Sequence, residues 1–119
     1  MSDDIFAERV AKVRQRFMSS LGEKIDTTCA ALPGLSGTEP PAIAAVAEAY
    51  RCIHGIVGIG RTVGFPEIGT AAHNVEDVLR SPYHAGRGLT DDEISLLKTS
   101  LQTLRDVASR ELQSSSSSH

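Results

Sequence analysis

What most constrains this chain is a recurrence of apolar side chains every three or four residues, interrupted only where proline and glycine cluster. Phe6, Val10, Val13, Phe17, Leu21, Ile25 and Leu32 follow mostly this step, the period of a helix with an apolar stripe. Pro33 and Gly34 end the segment. Leu35 to Pro41 is rich in turn formers, and a second run then places Ile43, Val46, Tyr50, Ile53, Val57 and Gly60 at the same alternating spacing. Gly64, Phe65 and Pro66 make a corner, with proline at the first turn of a third helix whose inward face is Ile68, Ala71, Ala72, Val75, Val78 and Leu79. Ser81 and Pro82 are expected to stop that helix and leave Tyr83 to Leu89 as a loop. Thr90 and Glu93 have the spacing of a capping box. Ile94, Leu97, Leu101, Leu104, Ala108 and Leu112 then face inward from a fourth helix.

Short connections return each helix beside the one before it, so successive helices run antiparallel. The expected fold is all-α, an antiparallel up-down-up-down four-helix bundle. A chain of 119 residues suffices for one core. The domain is expected over residues 1–113, and the serine-rich residues 114–119 as a disordered tail. With three Phe, two Tyr and no Trp, that core must be largely aliphatic.

Charge and hydropathy narrow the function classes. A net charge of -3 and a pI near 5.7 argue against nucleic acid as a partner, because phosphate backbones need a basic face. No uninterrupted apolar run approaches the roughly 20 residues of a bilayer span, and the acidic Asp3 and Asp4 sit where a signal peptide would be basic. No membrane association and a cytoplasmic location are therefore expected. If the first turn centres near Gly37, Cys29 and Cys52 differ in height by roughly 10 Å at the helical rise. That is too far for a disulfide, so both are expected to stay reduced.

The chemistry concentrates in the second helix. Gly55, Gly58 and Gly60 each cost roughly 1 kcal/mol against alanine in a helix interior, and close approach by another molecule would account for them. With Ile53 and Val57 turned inward, Arg51, His54, Gly58 and Arg61 share an outer stripe. An imidazole with no side chain one turn ahead is an open nucleophile, and neighbouring guanidinium groups favour an incoming phosphate. The plain alternative is a surface histidine between solvated arginines, whose ion pairs are worth under about 1 kcal/mol. Ile56, Val57 and Ile59 read as core or core edge.

These residues resemble the characteristic segment of histidine phosphotransfer (HPt) domains of bacterial two-component phosphorelays. The family's histidine is matched by His54, its apolar +2 position by Ile56, its glycines at +4 and +10 by Gly58 and Gly64, and its apolar +14 position by Ile68. The similarity runs from Val46 to Leu79 and includes the corner Gly64 to Glu67. It departs at +3, where many members carry lysine and this chain has Val57; any phosphate-stabilising role of that lysine is then absent or taken by Arg51 or Arg61. The resemblance implies a phosphocarrier without kinase activity, in which His54 takes a phosphoryl group from an aspartyl phosphate on one receiver domain and passes it to another. Response-regulator receiver domains and a hybrid histidine kinase are the implied partners. No cofactor is expected on this chain, and magnesium is expected on the receiver. The absence of a Walker motif agrees with that division of labour.

Counting back from the corner near Gly64 puts Asn74 to Glu76 level with His54. Glu76 is thus a candidate acceptor for Nδ1–H, leaving Nε2 as the nucleophile, against the plain reading of a solvated carboxylate. Other readings are weaker. The glycines at 58, 60 and 64 suggest a dinucleotide turn, but that needs parallel strands where the chain reads as helix. A metal site from His54, His73 and His84 lacks a compact ligand set beyond His73 with Glu76 or Asp77. The serious competitor is a helical adaptor that binds a signalling partner without accepting phosphate, and such a protein would not need His54.

Overall fold

The computed structural model describes residues 2–116. Four helices follow one another in that span: α1 (Ser2–Ala31), α2 (Pro40–Thr62), α3 (Pro66–Ala85) and α4 (Asp91–Ser116), with a single 3-10 turn at Leu32–Gly34. No strand occurs among the described residues, so the expected all-α bundle is the observed fold and the dinucleotide reading lapses. α2 and α3 pack most extensively on each other, α4 covers α3, and α1 completes the bundle. The serine tail expected over 114–119 overlaps the last residues of α4, and 117–119 lie outside the described residues.

Each boundary has a local cause. Pro40 opens α2 from an extended Glu39, and Pro66 opens α3, because proline lacks the N–H that a first turn leaves unpaired anyway. Gly64, at φ 94°, makes the corner between them. The capping box closes as expected: the Thr90 N–H donates to Glu93 Oε1 at 2.9 Å and the Glu93 N–H to Thr90 Oγ1 at 3.2 Å. Arg87 adds a fork to the same carboxylate, at 2.7 and 3.0 Å. That guanidinium is the main reason the Glu93 carboxyl is lowered to about 2.

Three expectations need correction. Pro82 does not stop α3; the helix runs through it to Ala85. Pro82 is buried, the next ring, Tyr83, packs on Tyr50 of α2, and tertiary packing outweighs the lost backbone bond. The true stop is Gly86 at φ 65°, where the Arg87 N–H reaches Pro82 O and the Gly86 N–H reaches Tyr83 O, the bond pair of a Schellman cap. Second, the α1 stripe is not buried along its whole length: Phe6 is 70% and Val13 43% exposed, whereas Phe17, Leu21 and Ile25 are core. Phe17 stacks on Phe65 and Arg14 covers the same ring. The exposed stretch of α1 thus lies N-terminal to the turns that meet Phe65 at the α2–α3 corner.

Third, one helix is long and apolar enough to cross a membrane by length and composition, namely α2, with a mean hydropathy of 1.4 in its most apolar window. That mean stays apolar although Glu48, Arg51 and His54 interrupt the apolar runs of the helix. Here Val46, Ala49, Ile53, Ile56 and Val57 spend that apolarity in the bundle core. The loops at the far end are clasped together: the Gly88 N–H donates to Gly37 O and the Leu89 N–H to Leu35 O. Cys29 and Cys52 are unpaired.

Candidate functional site

The α2–α3 interface decides what His54 can do. Ile53, Ile56 and Val57 are buried, which turns His54 outward, and its side chain is 69% exposed. Glu76 comes from the facing side of α3 and is buried, with its side chain 5% exposed. Glu76 Oε2 accepts a short hydrogen bond from His54 Nδ1. An ionised carboxylate only accepts, so the proton lies on Nδ1, and a neutral ring then has its lone pair on Nε2. Nε2 makes no hydrogen bond among the described residues.

Burial pushes the Glu76 carboxyl up, but the hydrogen bond from His54, with the positive charges of His54, Arg80 and His73, outweighs it and leaves the group below its ordinary range. At neutral pH the carboxylate is therefore ionised. Its second oxygen, Oε1, lies 3.1 Å from Arg80 Nη2 and 3.4 Å from His73 Nδ1. Arg80 in turn holds Asp77 at 2.7 Å. Tyr50 beside it, together with the charges of Asp77 and Glu76, raises the guanidinium above its ordinary range.

Tyr50 also stacks on the imidazole, with ring centroids 6.0 Å apart and planes 12° apart. Tyr83 stacks on Tyr50 with centroids 4.3 Å apart, and His84 meets both tyrosine rings edge-on or tilted. The imidazole is thus fixed by an ionised acceptor at one edge and an aromatic ring one turn back.

The structure unites His54 with Glu76, as the level count on the two helices implied. The arginines behave differently. Arg51 is exposed and has no hydrogen bond or ion pair among the described residues. Arg61 lays its side chain across α3: its Cγ is 2.7 Å from where a Cβ on Gly69 would stand. That glycine makes room for the arginine stem.

Gly58 is open, with nothing within 4 Å of where a Cβ would stand, as is Gly55. Gly60 is different: it is buried, and a Cβ there would stand 3.5 Å from Gly69 N, Phe17 Cζ and Phe65 O, an ordinary van der Waals contact. Gly60 thus faces the bundle interior, and close approach by another molecule is left to account for Gly55 and Gly58 alone. Val57, at the position where lysine is common, is a core residue and supplies no charge.

Sequence reasoning passed over Arg80, Tyr50 and Tyr83. Arg80 could have been found, since it stands one turn after Glu76 and three residues after Asp77, the spacings at which helical ion pairs form. Tyr50 stands one turn before His54. Tyr83 was hidden by the expectation that Pro82 ends the helix. His73 and Glu76 do meet, but no group of three or more His, Cys, Asp or Glu among the described residues is arranged to hold a metal ion.

Comparison with protein families gives a match to the Hpt domain over residues 12–107, about four-fifths of the chain, which takes in parts of all four helices and the whole α2–α3 face. Comparisons with curated proteins and with solved structures give no match. Hpt domains are phosphocarriers and not kinases, and they work with receiver domains and histidine kinases. The outward histidine on a four-helix bundle and the match over most of its length lead to one statement: the chain belongs to the Hpt domain family, the histidine phosphotransfer modules of two-component phosphorelays.

Proposed function

We propose that His54 is the phospho-accepting residue, taking a phosphoryl group from an aspartyl phosphate on one receiver domain and passing it to an aspartate on another. The observation that carries this reading is the bond from His54 Nδ1 to the buried, ionised Glu76 on a ring that is otherwise exposed. It leaves the Nε2 lone pair facing outward. That lone pair attacks phosphorus, an N–P bond forms, the P–O bond to the donor aspartate breaks, and its electron pair leaves on the carboxylate. The ring becomes a phosphoimidazolium with Nδ1 still protonated, and the Glu76 carboxylate offsets the new positive charge. In the return step an acceptor carboxylate oxygen attacks phosphorus and the N–P electron pair goes back to Nε2.

Receiver domains and a hybrid histidine kinase are the partners this chemistry calls for. They would meet His54 across the open surface at Gly58, with Arg51 and Arg61 flanking the approach. Magnesium belongs on the receiver, and with Val57 in place of lysine the chain leaves most of the developing charge to that ion. We place the protein in the cytoplasm, where its partners would be.

The test is to incubate the protein with a phosphorylated receiver domain and assay acid-labile, base-stable phosphate on wild type and His54→Gln. Label on the wild type that disappears in the variant is expected. Absence of label from a folded wild type across several receivers would instead favour the adaptor that docks a signalling partner without chemistry.

A further inference from the structure

Within that reading of His54, we infer that Arg80 is a positioning residue for phosphotransfer: it holds the second oxygen of Glu76 so that the first stays aimed at His54 Nδ1. Arg80 does not touch the imidazole. It acts through the carboxylate, from a guanidinium that Asp77 also holds.

A carboxylate on one rotatable helix side chain can offer either oxygen to either neighbour. Glu76 has several neighbours competing for it: His54 from α2, with His73 and Arg80 from α3, and Asp77 beside them drawing on the same cations. If His73 alone engaged Oε1, at 3.4 Å, the group would be held loosely. Arg80 makes the closer contact, 3.1 Å from Nη2 to Oε1, with the geometry of a charge-assisted hydrogen bond.

Arg80 is itself restrained. Its Nη1 lies 2.7 Å from Asp77 Oδ1. The contacts form a chain: His54 to Glu76, Glu76 to Arg80, and Arg80 to Asp77. The first link crosses from α2 to α3, and the other two join adjacent turns of α3. Such a chain fixes which oxygen of Glu76 meets the ring, and with it the ring's tautomer.

The bland alternative is that Arg80 only forms surface ion pairs along α3, with Asp77 and Glu76 at three- and four-residue spacing. Those pairs would steady the helix and leave the imidazole unaffected. The two roles differ in what happens at His54 when the guanidinium is removed.

The experiment prepares Arg80→Gln, Arg80→Lys and Asp77→Asn and records ring ¹⁵N chemical shifts of His54 by NMR near pH 8, where the tautomers of a neutral imidazole are distinguishable. Phosphotransfer from a phosphorylated receiver domain is then measured on the same samples. For the wild type the Nδ1–H tautomer is expected to dominate. Arg80→Gln should shift the population toward Nε2–H and slow phosphotransfer on the order of tenfold. Arg80→Lys, which keeps a cation but not the planar fork, should restore part of both. Asp77→Asn removes the carboxylate that holds Arg80 Nη1, so a smaller shift in the same direction is expected, and it serves as the test if Arg80→Gln does not fold. An unchanged His54 tautomer in folded Arg80→Gln, or in Asp77→Asn if the first variant does not fold, would overturn the inference. A wild type that takes no phosphate would sink the phosphocarrier reading while the NMR result still decides the role of Arg80.

Discussion

His54 stands at an exposed position and Glu76 at a buried one, and their burial sets the physical state of each. Glu76 is desolvated, which alone would favour its neutral form, yet His54, Arg80 and His73 keep it ionised. Because the folded carboxyl sits below the ordinary value of 4.5, its contribution to stability is present above that value and fades as pH falls through the folded value. Glu76→Gln keeps an oxygen acceptor but loses the charge. It should slow phosphotransfer on the order of tenfold, and it should make stability less sensitive to pH below about 5, as read by urea midpoints across that range. An unchanged transfer rate would remove Glu76 from the mechanism. Gly58 makes an opposite case. A methyl group there meets nothing within 4 Å, so Gly58→Ala should raise stability by roughly 0.5–1 kcal/mol through helix propensity. If the glycine keeps the surface open for a receiver, the same variant should lose transfer rate while its thermal midpoint rises. A variant as active as wild type would show that the open surface is not needed.

At the scale of helices and turns, stability is concentrated where the chain changes direction. The loop before α4 is tied by Thr90, Glu93 and Arg87, and by the bonds from Gly88 and Leu89 to the α1–α2 loop. A Cβ on Gly88 would stand 2.0 Å from Gly37 O and 2.7 Å from Leu35 O, both backbone atoms that cannot swing aside. Gly88→Ala should therefore part the two loops and destabilise by about 2 kcal/mol or more, measured by urea denaturation. Glu93 carries a sign that can be checked. Its carboxyl is lowered to about 2, so its stabilisation is complete above 4.5 and is lost as pH falls toward 2. Arg87 is 36% exposed and screened by water, so Glu93→Gln should cost only about 1 kcal/mol at pH 7. That difference from wild type should shrink toward zero near pH 2.

For the whole molecule, the bundle is longer than its shared core. Its extents are 54 by 26 by 18 Å, and α1, with 30 residues, outruns α2, with 23. Past Arg14 toward the N-terminus, Ile5, Phe6 and Val13 are exposed. Removing residues 1–11 should therefore shift stability by no more than about 0.5 kcal/mol, whereas Phe17→Ala, which empties a site against Phe65 and Gly60, should cost about 3–5 kcal/mol. Chemical denaturation of the two variants checks the contrast. The exposed stripe was not legible in advance, because periodicity states which residues share a helix face and not whether another helix stands opposite. The same limit applies to α2, whose apolarity satisfies a bilayer by composition and here fills the core.

By itself, the amino-acid sequence determined the number of helices, their order and their antiparallel course, since helical periodicity, proline and glycine are local signals and short loops leave no other path. It also determined that His54 faces out and that Glu76 stands level with it, because rise per residue converts sequence distance into height. Only the tertiary structure decided what lies across the α2–α3 interface. That packing carries α3 through Pro82, brings Tyr83 onto Tyr50, sets Arg80 behind Glu76, and buries Gly60 while leaving Gly58 open. These outcomes depend on which faces two helices present to each other, a rotation that backbone periodicity leaves free and that side-chain packing across the interface settles.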